Sequence, residues 1–314
     1  MKYGYFDNEK REYVIDRVDV PVSWTNYLGV EDLCAVINHT AGGYLFYKSP
    51  EYHRITRFRP NGVPMDRPGH YIYLRDEDTG EFWSVSWQPC GGDLSGYRCR
   101  HGLSYSVYEC ERNDIQAGQT LFIPRGEAVE LWDVKLENRS ERKRNLSVWS
   151  YAEFSYHQIP IDNQNFQMSL YCAGSDYADG IIDYELFYEH THQFMASSFV
   201  PDGFDCLRDR FIGSYRTETN PLAVEQGKCF GSYEKGNNHC AALQKRISLN
   251  PGESIRLVWM LGEGGREDGR RIREKYRDFS AVDAAFKDLA GYWDKKLSRL
   301  QVSTRNPDMN TMLN

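Results

Sequence analysis

Trp132-Asp133-Val134-Lys135-Leu136 alternates apolar and polar side chains at every step. A period of two becomes one apolar and one polar face only on an extended strand. The pattern recurs upstream, where Tyr71 and Tyr73 alternate with Ile72 and Leu74, and Trp83, Val85 and Trp87 alternate with Ser84 and Ser86. Between these runs stand Ala41-Gly42-Gly43, Arg59-Pro60-Asn61-Gly62, Asp78-Thr79-Gly80, Pro89-Cys90-Gly91-Gly92, Pro124-Arg125-Gly126 and Asn250-Pro251-Gly252. Each offers a residue suited to positive φ or a proline with fixed φ, which marks a turn. No ten-residue helical pattern interrupts the series, so a parallel layout with crossover helices is disfavoured. The expected fold is mainly β: a large antiparallel β-sandwich of two sheets over residues 1–265.

The periodicity changes after Leu261-Gly262-Glu263-Gly264-Gly265. From Ser280 onward Val282, Phe286, Leu289, Trp293, Leu297 and Leu300 recur at steps of three and four, one apolar stripe on a helix. Ser280 and Asp283 have the spacing of a capping box, and Arg270 to Tyr276 suggests a short charged helix before it. Residues 266–314 are therefore expected to form a helical linker. Asn306-Pro307-Asp308-Met309-Asn310-Thr311-Met312-Leu313-Asn314 opens a further apolar element, as the front part of a longer chain would.

Composition narrows the function. The 314 residues carry 40% hydrophobic, 14% aromatic and 26% charged side chains, a globular balance that excludes disorder. A net charge of −7 provides no field to hold a polyanion, so no nucleic-acid partner is expected. No run is long and apolar enough for a membrane span, and Met1-Lys2-Tyr3-Gly4-Tyr5-Phe6-Asp7 has no apolar region of a signal peptide. A cytoplasmic chain follows as the expectation, with its eight cysteines as thiols buried like small hydrophobes; none forms a Cys-x-x-Cys pair. The sequons at Asn38, Asn138 and Asn145 then carry no meaning.

Few constellations point to chemistry. On a strand, His190 and His192 would share one face, yet no third ligand is in view, so no metal is assigned. Asn237-Asn238-His239-Cys240 reads as a loop with one buried thiol, and Asp202, Asp205 and Asp209 as a solvated loop rather than a pair of glycosidic carboxylates. No nucleophile elbow and no glycine-rich phosphate loop is present. The most informative polar stretch is Tyr156-His157-Gln158-Ile159-Pro160-Ile161-Asp162-Asn163-Gln164-Asn165-Phe166-Gln167. Its carboxamides, histidine and aromatics suit sugar hydroxyls and pyranose faces, though an ordinary long loop has the same composition.

Several segments together resemble the amino-terminal part of the inverting disaccharide phosphorylases of glycoside hydrolase family 94, the cellobiose and chitobiose phosphorylase group. They are Met1 to Asp7, Arg11-Glu12-Tyr13-Val14-Ile15, Trp24-Thr25-Asn26-Tyr27-Leu28-Gly29, Thr40-Ala41-Gly42-Gly43-Tyr44, Arg54-Ile55-Thr56-Arg57-Phe58-Arg59, Arg100-His101-Gly102-Leu103-Ser104-Tyr105 and Asp209-Arg210-Phe211-Ile212-Gly213. Asp66-Arg67-Pro68-Gly69-His70-Tyr71, Asp162-Asn163-Gln164-Asn165, Asn220 to Gly227 and Asn238-His239-Cys240 look more like the chitobiose and cellobionic acid members. The resemblance implies a galactose-mutarotase-like supersandwich, then a helical linker, then an (α/α)6 catalytic barrel that this chain lacks. It implies a reaction of disaccharide with inorganic phosphate, no other cofactor, and a homodimer. The catalytic acid and phosphate ligands of the family lie in the barrel, so no catalytic residue is assigned here. A sandwich loop of one subunit covers the partner's active-site entrance in the family. The matching residues here are Gln158, Asp162, Asn163 and Asn165, which the resemblance makes candidates for contacting the acceptor sugar in trans. Without the barrel, exposed apolar surface is expected along Phe286, Trp293 and Leu297. The competing possibility is a free-standing, non-catalytic sandwich that binds carbohydrate or a protein.

Overall fold

In a computed structural model, which describes residues 2–60, 66–164 and 171–314, the strands pair in three antiparallel sheets. The largest runs in the order β1 (Gly4–Asp7), β2 (Glu12–Ile15), β9 (Ser95–Gly102), β10 (Tyr105–Arg112), β11 (Ile115–Phe122), β12 (Val129–Asn138), β20 (Ser254–Glu263), β17 (Thr191–Ser197), β16 (Ile181–Leu186) and β15 (Ala173–Ala178). A second contains β18 (Gly203–Leu207), β19 (His239–Leu249), β13 (Arg144–Tyr151), β7 (Tyr71–Asp76) and β8 (Phe82–Ser84). The third contains β14 (Phe154–His157), β6 (Arg54–Thr56), β5 (Gly43–Tyr47), β4 (Leu33–Asn38) and β3 (Thr25–Leu28). The expected second sheet is thus divided in two. The chain leaves β13 at Ala152-Glu153, where Glu153 bridges Cys240, and enters β14 in the neighbouring sheet.

The alternation at Trp132 separates two cores. Trp132, Val134 and Leu136 point with Leu257, Trp259 and Leu261 into a core shared by all three sheets. Val129, Leu131, Val258 and Met260 point the other way, into a smaller core. That second face is covered by α4 (Arg266–Tyr276) and α5 (Phe279–Leu297), which contribute Ile272, Tyr276, Val282 and Leu289. Burying each such side chain contributes about 1.5–3 kcal/mol. Both strand faces are therefore apolar along β12, and only Lys135 is exposed in its central part. Gly69 shows how tightly the layers meet: a Cβ there would lie 2.0 Å from the Ala41 carbonyl oxygen.

Four local expectations need correction. Strand β8 ends at Ser84, and Trp87 sits in a turn at φ 68° because Ser84 Oγ donates to the Trp87 carbonyl at 2.8 Å and Ser86 Oγ to that of Gln88. Small hydroxyl side chains close turns in this way. The cap of α5 is Asp278, which accepts from the Ser280 amide at 2.9 Å, while Asp283 instead accepts from Arg256 at 2.7 Å. Leu300 lies past the helix end and is 79% exposed. Phe286 and Trp293 are not bare: both are half-buried against the second core, Phe286 meeting Tyr105 and Phe122 edge-on at 5.0 and 5.2 Å.

The shorter helices are α1 (Ile159–Gln164), α2 (Arg208–Phe211), α3 (Leu222–Glu225) and α6 (Pro307–Leu313). All eight cysteines are free thiols, five of them buried. Among the described residues no helix is long and apolar enough to cross a membrane. The expected turn at Asn61-Gly62 and the candidate Asn165 lie outside the described residues.

Candidate functional site

The segment singled out at Tyr156 is held by a buried network of charges. Arg57 follows β6, is 3% exposed, and forks onto Asp162 of α1, with Nε and Nη2 donating to Oδ1 at 3.0 and 2.8 Å. Its Nη1 donates to Glu153 Oε2 at 3.4 Å and to Asn238 Oδ1 at 3.3 Å, and the Tyr156 ring lies 5.1 Å from the guanidinium. Glu153 is shared: it accepts from Arg208 Nε at 2.9 Å and from the Tyr151 hydroxyl at 2.7 Å. Arg208 in turn donates to Glu218 at 2.8 Å. Burial opposes the charge on Arg57, but Asp162 and Glu153 outweigh it and hold its pKa well above the ordinary value. Burial likewise opposes the charge on Glu153, yet Arg208 and Arg57 hold it below its usual 4.5.

Arg57, Glu153, Arg208, Glu218 and Asn238 line a cavity of about 360 Å³, with Arg59 and Arg67 also in its wall and Arg67 donating to Thr219 Oγ1 at 3.1 Å. Its chemistry is that of binding and positioning. Arginines only donate, and Glu153, held below its usual range, is ionised at neutral pH and accepts. The carboxyl that burial does push up is Asp205, which has no exposed surface and accepts from the Phe230 and Ser232 amides and the Ser232 hydroxyl, away from this cavity. It sits on β18 rather than in a solvated loop, which corrects that expectation for Asp205, whereas Asp202 is exposed in the bend before β18 and Asp209 is exposed on α2.

The four candidate contact residues are placed as follows. Gln158 is half-buried at the start of the segment, with Nε2 donating to Glu189 at 3.4 Å. Asp162 is 9% exposed and turned toward Arg57 of its own chain. Asn163 lies in α1, and Asn165 is outside the described residues. The histidine pair is not brought onto one face: His190 is in the turn after β16 at φ 53°, whereas His192 is on β17 and pairs with Asp183 at 2.9 Å. Asn238 is in the cavity wall and His239 begins β19, buried, with Nδ1 2.8 Å from Ser175 Oγ. Sequence reasoning missed Arg57, Glu153, Arg208 and Glu218 as one network. Two of its anchors lie in or beside quoted motifs, Arg57 within Arg54 to Arg59 and Arg208 just before Asp209, but the pairings that tie the network together join residues up to 105 positions apart.

Residues 11–279 match the supersandwich domain of glycosyl hydrolase 94, and the chain belongs to that family. It is 52% identical over 320 residues to N,N'-diacetylchitobiose phosphorylase of Vibrio proteolyticus, covering all of this chain and 40% of that protein. The Vibrio furnissii protein of the same name is 51% identical, again over all of this chain and 40% of its own length. Solabiose phosphorylase of Paenibacillus borealis is 29% identical over 87% of this chain and 36% of its own. The chain thus spans about two fifths of the curated relatives it matches.

Proposed function

We propose that this chain is the amino-terminal supersandwich and linker of an inverting disaccharide phosphorylase whose substrate is N,N'-diacetylchitobiose, with cellobionate the next choice and cellobiose behind both. The observation that carries this is identity above one half, along the whole chain, to proteins named for that activity. The reaction places inorganic phosphate and an acid on opposite faces of the sugar, and both groups belong to the barrel. The part of this chain is to shape the active-site entrance and the dimer in the cytoplasm. Gln158, Asn163 and Asn165 are proposed to reach the acceptor sugar of the partner subunit. Asp162 serves the same contact by fixing the segment through Arg57.

The test is release of sugar 1-phosphate from diacetylchitobiose, cellobionate and cellobiose with phosphate, using this chain and the chain extended through its reading frame. Turnover only by the extended protein, fastest on diacetylchitobiose, supports the proposal. Turnover by the 314 residues alone would place the catalytic acid inside them and overturn it. Gln158→Ala in the extended protein should raise KM for the acceptor in the synthetic direction at least as much as it lowers kcat.

A further inference from the structure

A second cavity, of about 380 Å³, opens beside the start of α4, on the face of the largest sheet that is turned away from the main core. Alternation along β16 sends Ile182, Tyr184 and Leu186 into that core and turns Asp183, Glu185 and the following Phe187 the other way. Register sets Asp176 of β15 opposite Asp183, and Gly174 of β15 and His192 of β17 on either side of Glu185. Beyond β15 the wall is Tyr233, Glu234 and Lys235. The Ser175 amide donates to the Glu234 carbonyl at 3.0 Å and Lys235 bridges Gly174, so this wall continues the sheet.

Two aromatic rings of the lining are held by packing. A Cβ at Gly174 would lie 2.7 Å from Phe187 Cζ, so the bare strand lets that ring lie across it. Tyr233 is 55% exposed and backed by Phe204 at 6.3 Å, which is itself stacked on Tyr177 at 3.6 Å. The polar groups are not all matched to one another. His192 Nδ1 is 2.9 Å from Asp183 Oδ1, and Arg266 donates to Asp176 at 2.8 Å. Glu234 accepts from Asn237 through one oxygen, at 3.0 Å. The Glu185 carboxylate has no hydrogen-bond or ion-pair partner among the described residues, and the Lys235 ammonium meets only the Phe187 ring, at 5.9 Å.

We propose that this cavity binds one pyranose ring of a neutral oligosaccharide. Tyr233 and Phe187 pack on its C–H faces, Glu185 and Glu234 accept from its hydroxyls, and Lys235 donates to one. Polarity decides the class. An anion would meet the carboxylates at close range, and an apolar ligand would leave them and Lys235 without partners. A cation would find Lys235 already at the Phe187 ring. A hydroxyl both donates and accepts, so a sugar alone answers the carboxylates, the ammonium and the rings together. None of these residues lines the Arg57 cavity, and none belongs to the segment proposed to reach the partner subunit. The proposal therefore stands apart from the phosphorylase reading, since binding is measured without turnover.

The probe is cellotriose titrated into this chain, read by saturation-transfer NMR and calorimetry. Binding should saturate, with the strongest transfer to ring C–H protons of the sugar. Tyr233→Ala and Glu185→Ala lie outside the core and should keep the wild-type Tm while each weakens binding at least about fivefold. Tyr215→Ala removes a fully exposed ring that lines neither cavity and should bind as wild type. Sorbitol, which has the hydroxyls without the ring, should give no saturable transfer, and spermidine should not displace cellotriose. Absence of saturable binding, or wild-type affinity in both Tyr233→Ala and Glu185→Ala, would overturn the proposal. So would a loss in Tyr215→Ala as large as in Tyr233→Ala, binding of sorbitol as strong as that of cellotriose, or displacement by spermidine, which would make the cavity an acidic patch that collects cations.

Discussion

Arg57→Met removes the cation at the centre of the buried network while keeping a side chain of similar length. Asp162 and one oxygen of Glu153 then remain buried, the former without its only charged partner among the described residues. Breaking a buried ion pair from one side costs about 3–5 kcal/mol, because the remaining charge is uncompensated. For 314 residues, at about 2.1 cal/mol/K each, the unfolding entropy is about 0.66 kcal/mol/K. The expected fall in Tm is therefore about 5–8 °C, read by circular dichroism or calorimetry. The double variant Arg57→Met, Asp162→Asn removes both partners and should recover at least half of that loss, since Glu153 keeps Arg208. A single variant within about 1 °C of wild type, or a double variant whose loss is the sum of the two singles, would refute the claim that this pair is coupled and desolvated.

Acid should weaken the fold well before carboxylates titrate. Burial, the largest cause in each case, lowers His39, His101 and His239 to about 4 from an ordinary 6.5. The unfolded chain takes up these protons first, so stability is full above 6.5 and falls as pH drops below it, by about 2 kcal/mol per histidine at pH 5. Glu153, held below 4.5, adds a loss in the same direction at still lower pH; denaturant titrations at pH 7, 6 and 5 check the histidines, and a further one at pH 3 checks Glu153. Phe286→Ala should cost about 2 kcal/mol, roughly half the fully buried value, and speed proteolysis of the linker between α4 and α5 with the sandwich intact. Gly69→Ala, which drives a methyl into the Ala41 carbonyl, should destabilise by about 3 kcal/mol or prevent folding, measured by soluble yield and Tm.

How much of this was legible in the sequence depends on the range of the interaction. Period-two alternation is a local property, so the strands around Trp132 and Tyr71 could be seen, and so could the helix carrying Val282 and Leu289. Division of the second layer into two sheets is not local, because it follows from β13 pairing with β7 and β19 while β14 pairs with β6. The strand assignment at Trp87 failed because an alternating Ser-Val-Ser pattern is equally able to close a turn through its hydroxyls. The candidate segment was visible as composition, but its anchors were not. Nothing near Asp162 in the chain marks Arg57, 105 positions away, as its partner.

The two buried clusters make one mechanical argument about that segment. At its start, His157 is fixed by Glu189 and by the stack on His53, and the Tyr188 hydroxyl donates to the Tyr156 carbonyl. Five residues on, Asp162 is fixed by the Arg57 fork and accepts from the Tyr156 amide at 3.4 Å. Gln158 to Ile161 are thus clamped at both ends by charged or ring contacts that solvent does not reach freely. A contact residue is useful across a subunit boundary only if it arrives with its geometry already set, since ordering a loop on binding costs affinity. Loosening either clamp should then act at a distance. Asp162→Asn and Glu189→Gln, neither of which removes Gln158, should each raise the acceptor KM of the extended protein in the same direction as Gln158→Ala, and combining either with Gln158→Ala should add little. Full additivity would mean that the clamps serve stability alone and that Gln158 takes its position from elsewhere.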